Sequence, residues 1–165
     1  RADFAISAPE IVLAAIAGRT RRIKLGTAVT VLSTDDPVRV FQRFSTLNAI
    51  SNGRAEVILG RGSFTESFPL FGYALQDYQT LFEEKLNLYA AVNEGGPVTW
   101  QGSTRAPLQN QLVYPIAESG SVRTWVSSRY CSGVFETSRR ATHDSPVGAS
   151  KVLNMAKGAV RFVKV

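Results

Sequence analysis

Helical and strand-like segments alternate along residues 7–93, and this order constrains the fold more than any other feature. Apolar spacing predicts helices that begin near Pro9, Pro37 and Asp77. Two short β-branched runs, residues 23–32 and 54–60, lie between them. Such alternation with short connections is typical of βαβ units around a parallel sheet. We therefore expect an α/β fold whose ligands bind at the carboxyl ends of the strands.

Capping residues mark the predicted helix starts. Ser7 stands three residues before Glu10, the spacing of a capping box, and Asp36 precedes Pro37 as a cap precedes a first helical position. The first helix is predicted to bury Ile11, Val12, Ala15 and Ile16. The second is predicted to bury Val38, Phe41, Phe44, Leu47 and Ile50. The third is predicted to carry one face of Tyr78, Leu81, Phe82, Lys85, Leu86, Tyr89 and Val92.

Residues 23–32 are nearly continuous in apolar residues, which predicts a strand buried on both faces, and residues 54–60 predict another short strand. After the third helix the pattern changes. Residues 98–100 and 108–114 flank a Gly102-Ser103 turn and predict a short antiparallel hairpin.

Two strand ends are candidate ligand sites. Gly60-Arg61-Gly62-Ser63 combines glycines that admit a close ligand with an Arg suited to phosphate, and Ser63 stands three residues before Glu66 as a cap would. A Gly-rich turn with a solvated Arg explains the same residues, because neither phosphate-loop fingerprint is present. Thr27-Ala28-Val29 could face a planar ligand or pack as an ordinary strand.

Other polar residues give weaker signals. A helix cap explains Asp35-Asp36, and a solvated helix face explains Glu83-Glu84, so neither pair predicts acid–base catalysis. His143 and Asp144 are sequence neighbours, which is poor geometry for a catalytic triad. No catalytic residue and no metal site are predicted.

Charge divides the 165-residue chain in two. Residues 1–118 hold 11 basic and 11 acidic residues, whereas residues 119–165 hold eight basic and two acidic ones and so carry the whole net charge of +6. The basic residues are scattered, so we expect no nucleic-acid partner, although a basic binding module remains an alternative. With a single Cys131, no signal pattern and no apolar run long enough to span a membrane, we expect a cytoplasmic protein and no membrane partner.

Several motifs occur together in one order: APEIVLAAIAGRTRRIKLGTAVTVLSTDDPVRV, SNGRAEVILGRGS, FGY, DYQTLFEEKLNLY and PVTWQG. Together they resemble the luciferase-like flavin-dependent monooxygenases over residues 1–115. The resemblance implies a (β/α)8 (TIM) barrel, a flavin cofactor (FMN or deazaflavin F420), O2 and a small organic substrate. It also implies a homo-oligomer, or a partner chain that covers the exposed barrel edges.

Site residues are carried over from the resemblance position by position. It implies flavin contacts at Thr27, a cis peptide near the flavin between Ala28 and Val29, a flavin-phosphate contact at Arg61, and a neighbouring contact at Ser63. Residues 123–126 resemble a further strand of the family.

A complete barrel takes about 250 residues. We therefore expect a partial barrel that lacks the first two and the last strands, with a barrel piece at residues 1–118. Residues 119–165 are expected to form a basic tail from an extension or a shifted reading frame. A flavin-dependent monooxygenase is the first functional hypothesis, and a catalytically inactive piece stabilised by association with another chain is the alternative.

Overall fold

The computed structural model describes residues 5–117, 120–127 and, for the backbone alone, 160–163. Its elements in chain order are α1 (Pro9–Arg19), β1 (Ala28–Val31), α2 (Pro37–Ile50), β2 (Glu56–Gly60), α3 (Ser67–Leu70), a 3₁₀ helix (Leu75–Asp77), α4 (Tyr78–Asn93), β3 (Val98–Trp100), β4 (Leu108–Gln111), β5 (Arg123–Ser127) and β6 (Val160–Val163).

The main sheet has the order β1-β2-β5-β6, and every neighbouring pair is parallel. Ile58 of β2 pairs with Ala28 on one side and with Trp125 on the other. β3 and β4 form a separate antiparallel hairpin. The parallel sheet and the helices that alternate with β1 and β2 confirm the predicted α/β fold, and the hairpin is confirmed as well.

The core lies between the sheet and the helices. Phe41 and Phe44 of α2 and Tyr89 of α4 are buried with Val57 and Leu59 of β2. The prediction of a strand buried on both faces is wrong for residues 23–32. In β1, Val29 and Val31 stay partly exposed on either side of the buried Thr30, because successive side chains point to opposite faces of the sheet and the described helices cover one of them.

Helix α1 differs from its prediction in two ways. Ala8, not Ser7, is the residue at the cap, and no side chain caps the helix. Glu10 instead accepts a hydrogen bond from Arg43 Nε of α2 at 3.2 Å, a charged partner that a capping box does not provide. The predicted stripe is also wrong in part: Ile11 is 71% exposed, and Val12 and Ala15 are exposed too, because α1 buries its opposite side around Ala17.

Helices α2 and α4 follow their predictions closely. Asp36 caps α2, and its Oδ1 accepts from Val38 N at 2.9 Å and from Arg39 N at 3.2 Å. Ile50 at the last position of α2 is 55% exposed, so the predicted stripe ends at Leu47. Along α4 the predicted face is buried apart from Tyr78 at its first position, which is partly buried.

The loop before β2 is fixed by a buried arginine. Arg54 donates from Nε to Ser51 O at 2.7 Å and from Nη1 to Thr20 Oγ1 and Ile23 O, both at 3.0 Å. Its Nη2 donates to Ala17 O and Thr20 O, also at 3.0 Å. Because these carbonyls include the last ones of α1, Arg54 caps that helix with a positive charge.

Glu84 is not on the solvated face that the sequence predicts. Both of its carboxylate oxygens accept hydrogen bonds from the hairpin turn, at 2.9 Å from Ser103 Oγ to Oε1 and at 2.9 Å from Thr104 N to Oε2. Burial raises the pKa of Glu84, but the hydrogen bonds from Ser103 and Thr104 outweigh it and hold that pKa below its ordinary value. Glu84 therefore fastens the hairpin to α4.

The segment predicted as a basic tail contributes two described strands. β5 includes the strand expected at residues 123–126, and its Trp125 donates from Nε1 to Glu56 Oε2 at 2.8 Å. β6 extends the sheet beyond β5. The division at residue 118 stays a prediction, and His143 and Asp144 lie outside the described residues. Over the described ranges, no helix has the length and apolarity needed to cross a membrane.

Candidate functional site

The carboxyl ends of β1 and β2 lie side by side and form the base of the candidate site. Val31 pairs with Gly60, and Leu32 N donates to Gly60 O at 2.9 Å. The peptide bond between Ala28 and Val29 is cis, as the resemblance predicts.

Two glycines allow this close approach. A Cβ on Gly60 would lie 2.7 Å from a methyl carbon of Val29, and a Cβ on Gly62 would lie 2.8 Å from a methyl carbon of Val31. Gly62 also has a φ of +80°, which favours glycine. The glycines of this turn are therefore explained first by packing against β1.

A cleft of about 750 Å³ opens beside the end of β1. Its apolar wall has two sources: β1 contributes Val29 and Val31, and the segment after β2 contributes Phe64, Leu70 and Phe71. The last three are large apolar side chains that are 47% to 75% exposed. The cleft therefore offers an apolar surface to a ligand.

The polar wall of the cleft is an ion-pair network. Arg43 of α2 binds Glu10 of α1 and, through a short contact, Asp35 of the β1–α2 loop. Burial lowers the pKa of Arg43, but the hydrogen bonds and negative charges of Asp35 and Glu10 outweigh it and raise that pKa. Arg43 thus stays charged and holds three elements together.

A second ion pair lies at the start of α2. Asp36 accepts from Arg105 Nε at 3.0 Å while it caps the helix. The Asp35-Asp36 pair is therefore used for ion pairs and capping, as expected for residues that are not an acid–base pair.

Arg61 lies at the turn after β2 and packs against the start of α4. Its Nη1 makes a short hydrogen bond to Gln79 Oε1, and its guanidinium carbon is 5.1 Å from the centre of the Tyr78 ring. The Tyr78 hydroxyl in turn donates to Gly62 O. The turn is thus held in a defined position with a positive charge on it.

The five predicted site residues have different environments. Val29 lines the cleft and Ala28 is exposed. Both stand at the start of β1, so their predicted position at the carboxyl end of the strand is wrong. Thr27 is buried, and a hydrogen bond joins its Oγ1 to Thr30 Oγ1 at 2.5 Å, so its side chain is turned away from solvent. Ser63 is exposed and caps no helix, because Glu66 is the residue before α3; the capping prediction is wrong. Arg61 is partly buried, as described above.

Sequence reasoning missed the second wall of the cleft. Phe64, Leu70 and Phe71 follow no helical or strand period, since they lie in a segment with one short helix. It also missed Arg43, whose partners Glu10 and Asp35 are brought near only by the packing of α1 on α2. Clustering of aromatic residues after the Gly-Arg-Gly turn was the available signal.

Comparisons with known proteins agree with this geometry. The family model described as luciferase-like monooxygenase matches residues 2–133, a range that reaches past β5. The alkanal monooxygenase alpha chain of Photobacterium leiognathi is 28% identical over 144 residues, which cover 87% of this chain and 38% of the relative.

Two solved structures share the fold. The oxygenating constituent of 3,6-diketocamphane monooxygenase from Pseudomonas putida, in complex with FMN, is 19% identical, with a TM-score of 0.64 over 74% of this chain and 37% of that one. An F420-dependent secondary alcohol dehydrogenase in complex with an F420-acetone adduct is 25% identical, with a TM-score of 0.64 over 76% and 39%.

The chain spans only part of these proteins: between 21% and 38% of the length of the curated relatives it matches. Within that part, the parallel sheet and the helices that alternate with its strands follow the pattern of a partial (β/α)8 barrel. Because the family model covers most of the sequence, the chain belongs to the luciferase-like monooxygenase family.

Proposed function

We propose that the chain carries the flavin-binding part of a monooxygenase that uses reduced flavin and O2 on a small organic substrate. The observation that carries the proposal is the packing of β1 on the turn after β2. Val29 lines the cleft and packs against Gly60, the residue before Arg61, so an apolar cleft wall and a positive charge that suits phosphate lie on neighbouring strands.

The residues fit a flavin. A flavin ring is flat and largely apolar, and Ala28 and Val29 offer it small apolar side chains. A guanidinium donates a fork of hydrogen bonds that suits phosphate, which assigns the phosphate to Arg61. Ser63 is exposed in the same loop and can donate its hydroxyl, whereas Thr27 contributes only its backbone.

FMN and F420 both carry a ring and a phosphate, and the two solved relatives described above bind one each. We propose either as the cofactor of this chain. When bound and reduced, FMN would supply the electrons with which O2 is activated, whereas F420 would supply a hydride. The chain positions the ring, neutralises the phosphate and, through Phe64, Leu70 and Phe71, keeps water from one side of the cleft.

Titration with flavins tests the proposal. We expect the 165-residue chain to change the fluorescence of FMN or F420, and Arg61→Met to weaken FMN binding by about tenfold or more. Riboflavin, which lacks the phosphate, should bind wild type and Arg61→Met alike. Arg19→Met is the matched control, since Arg19 is exposed on α1 and should leave both affinities unchanged.

Two results would overturn the proposal. One is the absence of any spectral change with either cofactor. The other is an equal loss of FMN and riboflavin binding in Arg61→Met, which would mean that Arg61 supports the loop and does not bind phosphate.

The edge of the sheet supports a second candidate, a non-catalytic piece that associates with another chain or a second copy. β1 is an edge strand among the described strands, and exposed edges pair readily with other chains. Light scattering after size exclusion distinguishes the candidates: a stable monomer that binds flavin contradicts the second one.

A further inference from the structure

Lys85 is a buried cation in a place where the flavin hypothesis assigns no role. It lies on the apolar face of α4 and is only 1% exposed. Its Nζ donates to Ser33 O at 2.7 Å. Within the described part of the chain it forms no ion pair, so a carbonyl and not a carboxylate receives its hydrogen bond.

An aromatic ring provides the second partner. Lys85 Nζ lies 4.0 Å from the centre of the Tyr73 ring, well within the range of a cation–π interaction. Such an interaction is strongest where water is excluded, as it is around this side chain. Burial of an ammonium is costly unless its partners stay in place, so Ser33 and Tyr73 are each held by the same charge.

These two partners lie close in sequence to the two segments that line the cleft. Ser33 stands two residues after the end of β1, and Val31 and Thr34 in the same stretch line the cleft. Tyr73 follows the segment that contributes Leu70 and Phe71 to the other wall.

Phe68 is a further anchor of that second wall. Phe68, between its exposed residues, is buried and packs on the Tyr78 ring at 5.6 Å. Tyr73 N donates to Phe68 O at 2.8 Å, which links the Lys85–Tyr73 contact to the backbone of the wall.

We propose that Lys85 is a positioning residue that sets the width of the cleft by binding the end of β1 and the aromatic segment 64–73 at the same time. It touches no ligand itself. Its effect on flavin or substrate binding rests on the proposed function, whereas its effect on segment 64–73 does not.

Hydrogen exchange measured by mass spectrometry tests the inference on the full chain. In Lys85→Met we expect the amides of residues 71–73 to exchange about tenfold faster or more, because the wall loses its tie to β1. The amide of Val40, which donates to Asp36 O at the start of α2, should keep its hydrogen-exchange rate. Lys24→Met is the matched control, since Lys24 is exposed.

Tyr73→Leu provides an independent variant that keeps the buried Lys85–Ser33 hydrogen bond. It should accelerate the same amides, and Lys85→Met combined with Tyr73→Leu should accelerate them no further. If Lys85→Met does not fold, Tyr73→Leu alone carries the test.

Unchanged exchange at residues 71–73 in the variants that fold would overturn the inference. An equal acceleration of α2 would overturn it too, because Lys85 would then stabilise the whole chain and not the wall. Neither result depends on flavin, so a chain that fails to bind flavin still tests the role of Lys85.

Discussion

Replacing the buried Arg54 by Met should lower the free energy of unfolding of this chain by several kcal/mol, roughly the loss of two buried hydrogen bonds. The substitution keeps the length of the side chain and removes its charge and all five of its hydrogen bonds, to Ser51, Thr20, Ile23 and Ala17. Arg54 is 9% exposed, so water cannot readily replace the guanidinium.

The expected loss follows from the acceptors. Ala17 and Ser51 are buried, and each of their carbonyls left without a donor costs about 1–3 kcal/mol. Thr20 and Ile23 are partly or fully exposed, so water satisfies their groups at little cost. Loss of the positive charge at the end of α1 adds roughly 0.5 kcal/mol. We therefore expect Arg54→Met to lower the free energy of unfolding by about 2.5–6.5 kcal/mol.

Urea unfolding followed by circular dichroism measures this difference. Arg54→Lys keeps the charge but not the fork of donors and should lose about half as much. Arg19→Met, an exposed substitution on α1, should change the free energy of unfolding by less than about 0.5 kcal/mol. A loss below about 1 kcal/mol in Arg54→Met would refute the reasoning, because the buried carbonyls would then have found other donors.

Substitutions of Glu84, Gly60 and Tyr89 test three further features of the structure. Glu84→Gln should lower the free energy of unfolding by about 1 kcal/mol at pH 7. Because the pKa of Glu84 is lowered in the folded chain, its contribution is present above a pH of about 4.3 and is lost as the pH falls through the folded pKa. The difference from wild type in urea unfolding should therefore shrink in acid, and a difference that grows would contradict this. Gly60→Ala should cost about 1–3 kcal/mol in the same assay, since its Cβ would meet Val29 at 2.7 Å, and an unchanged midpoint would show that Val29 moves freely. Burial raises the pKa of Tyr89, so above a pH of about 10 the folded chain keeps a proton that the unfolded chain releases, and the free energy of unfolding should fall as the pH rises. Tyr89→Phe should remove this dependence of the free energy of unfolding on pH. If the dependence persists in Tyr89→Phe, another group causes it.

The sequence by itself determined the order and type of α1, β1, α2, β2, α4 and the hairpin, but not the short helices after β2 or β6. Asp36 before Pro37 specifies the start of α2 locally, through hydrogen bonds within one turn. The spacing of Leu81, Phe82, Leu86 and Tyr89 specifies the buried face of α4, because a helix has one period whatever it packs against. The Gly-rich turn after β2 was found from its own residues, and the position of the cis peptide was found through the resemblance of neighbouring motifs.

Only the tertiary structure decided which apolar residues are covered. Ile11 and Ile50 satisfy the helical pattern, yet both are exposed, because burial depends on the neighbour that a helix meets and not on its own period. The same limit applies to the strands, because Ile58 is apolar but lies on the less covered face of the sheet.

Long-range partners were also decided by packing alone. Glu10 suggests a capping box until α2 brings Arg43 within 3.2 Å of it, and Lys85 is an ordinary helical lysine until Ser33 and Tyr73 converge on it. A sequence shows the charge of a residue and its helical face, but the partner of that charge is set by residues distant in sequence. The sequence therefore determined the elements and family of this protein, and the tertiary structure determined the walls of its cleft.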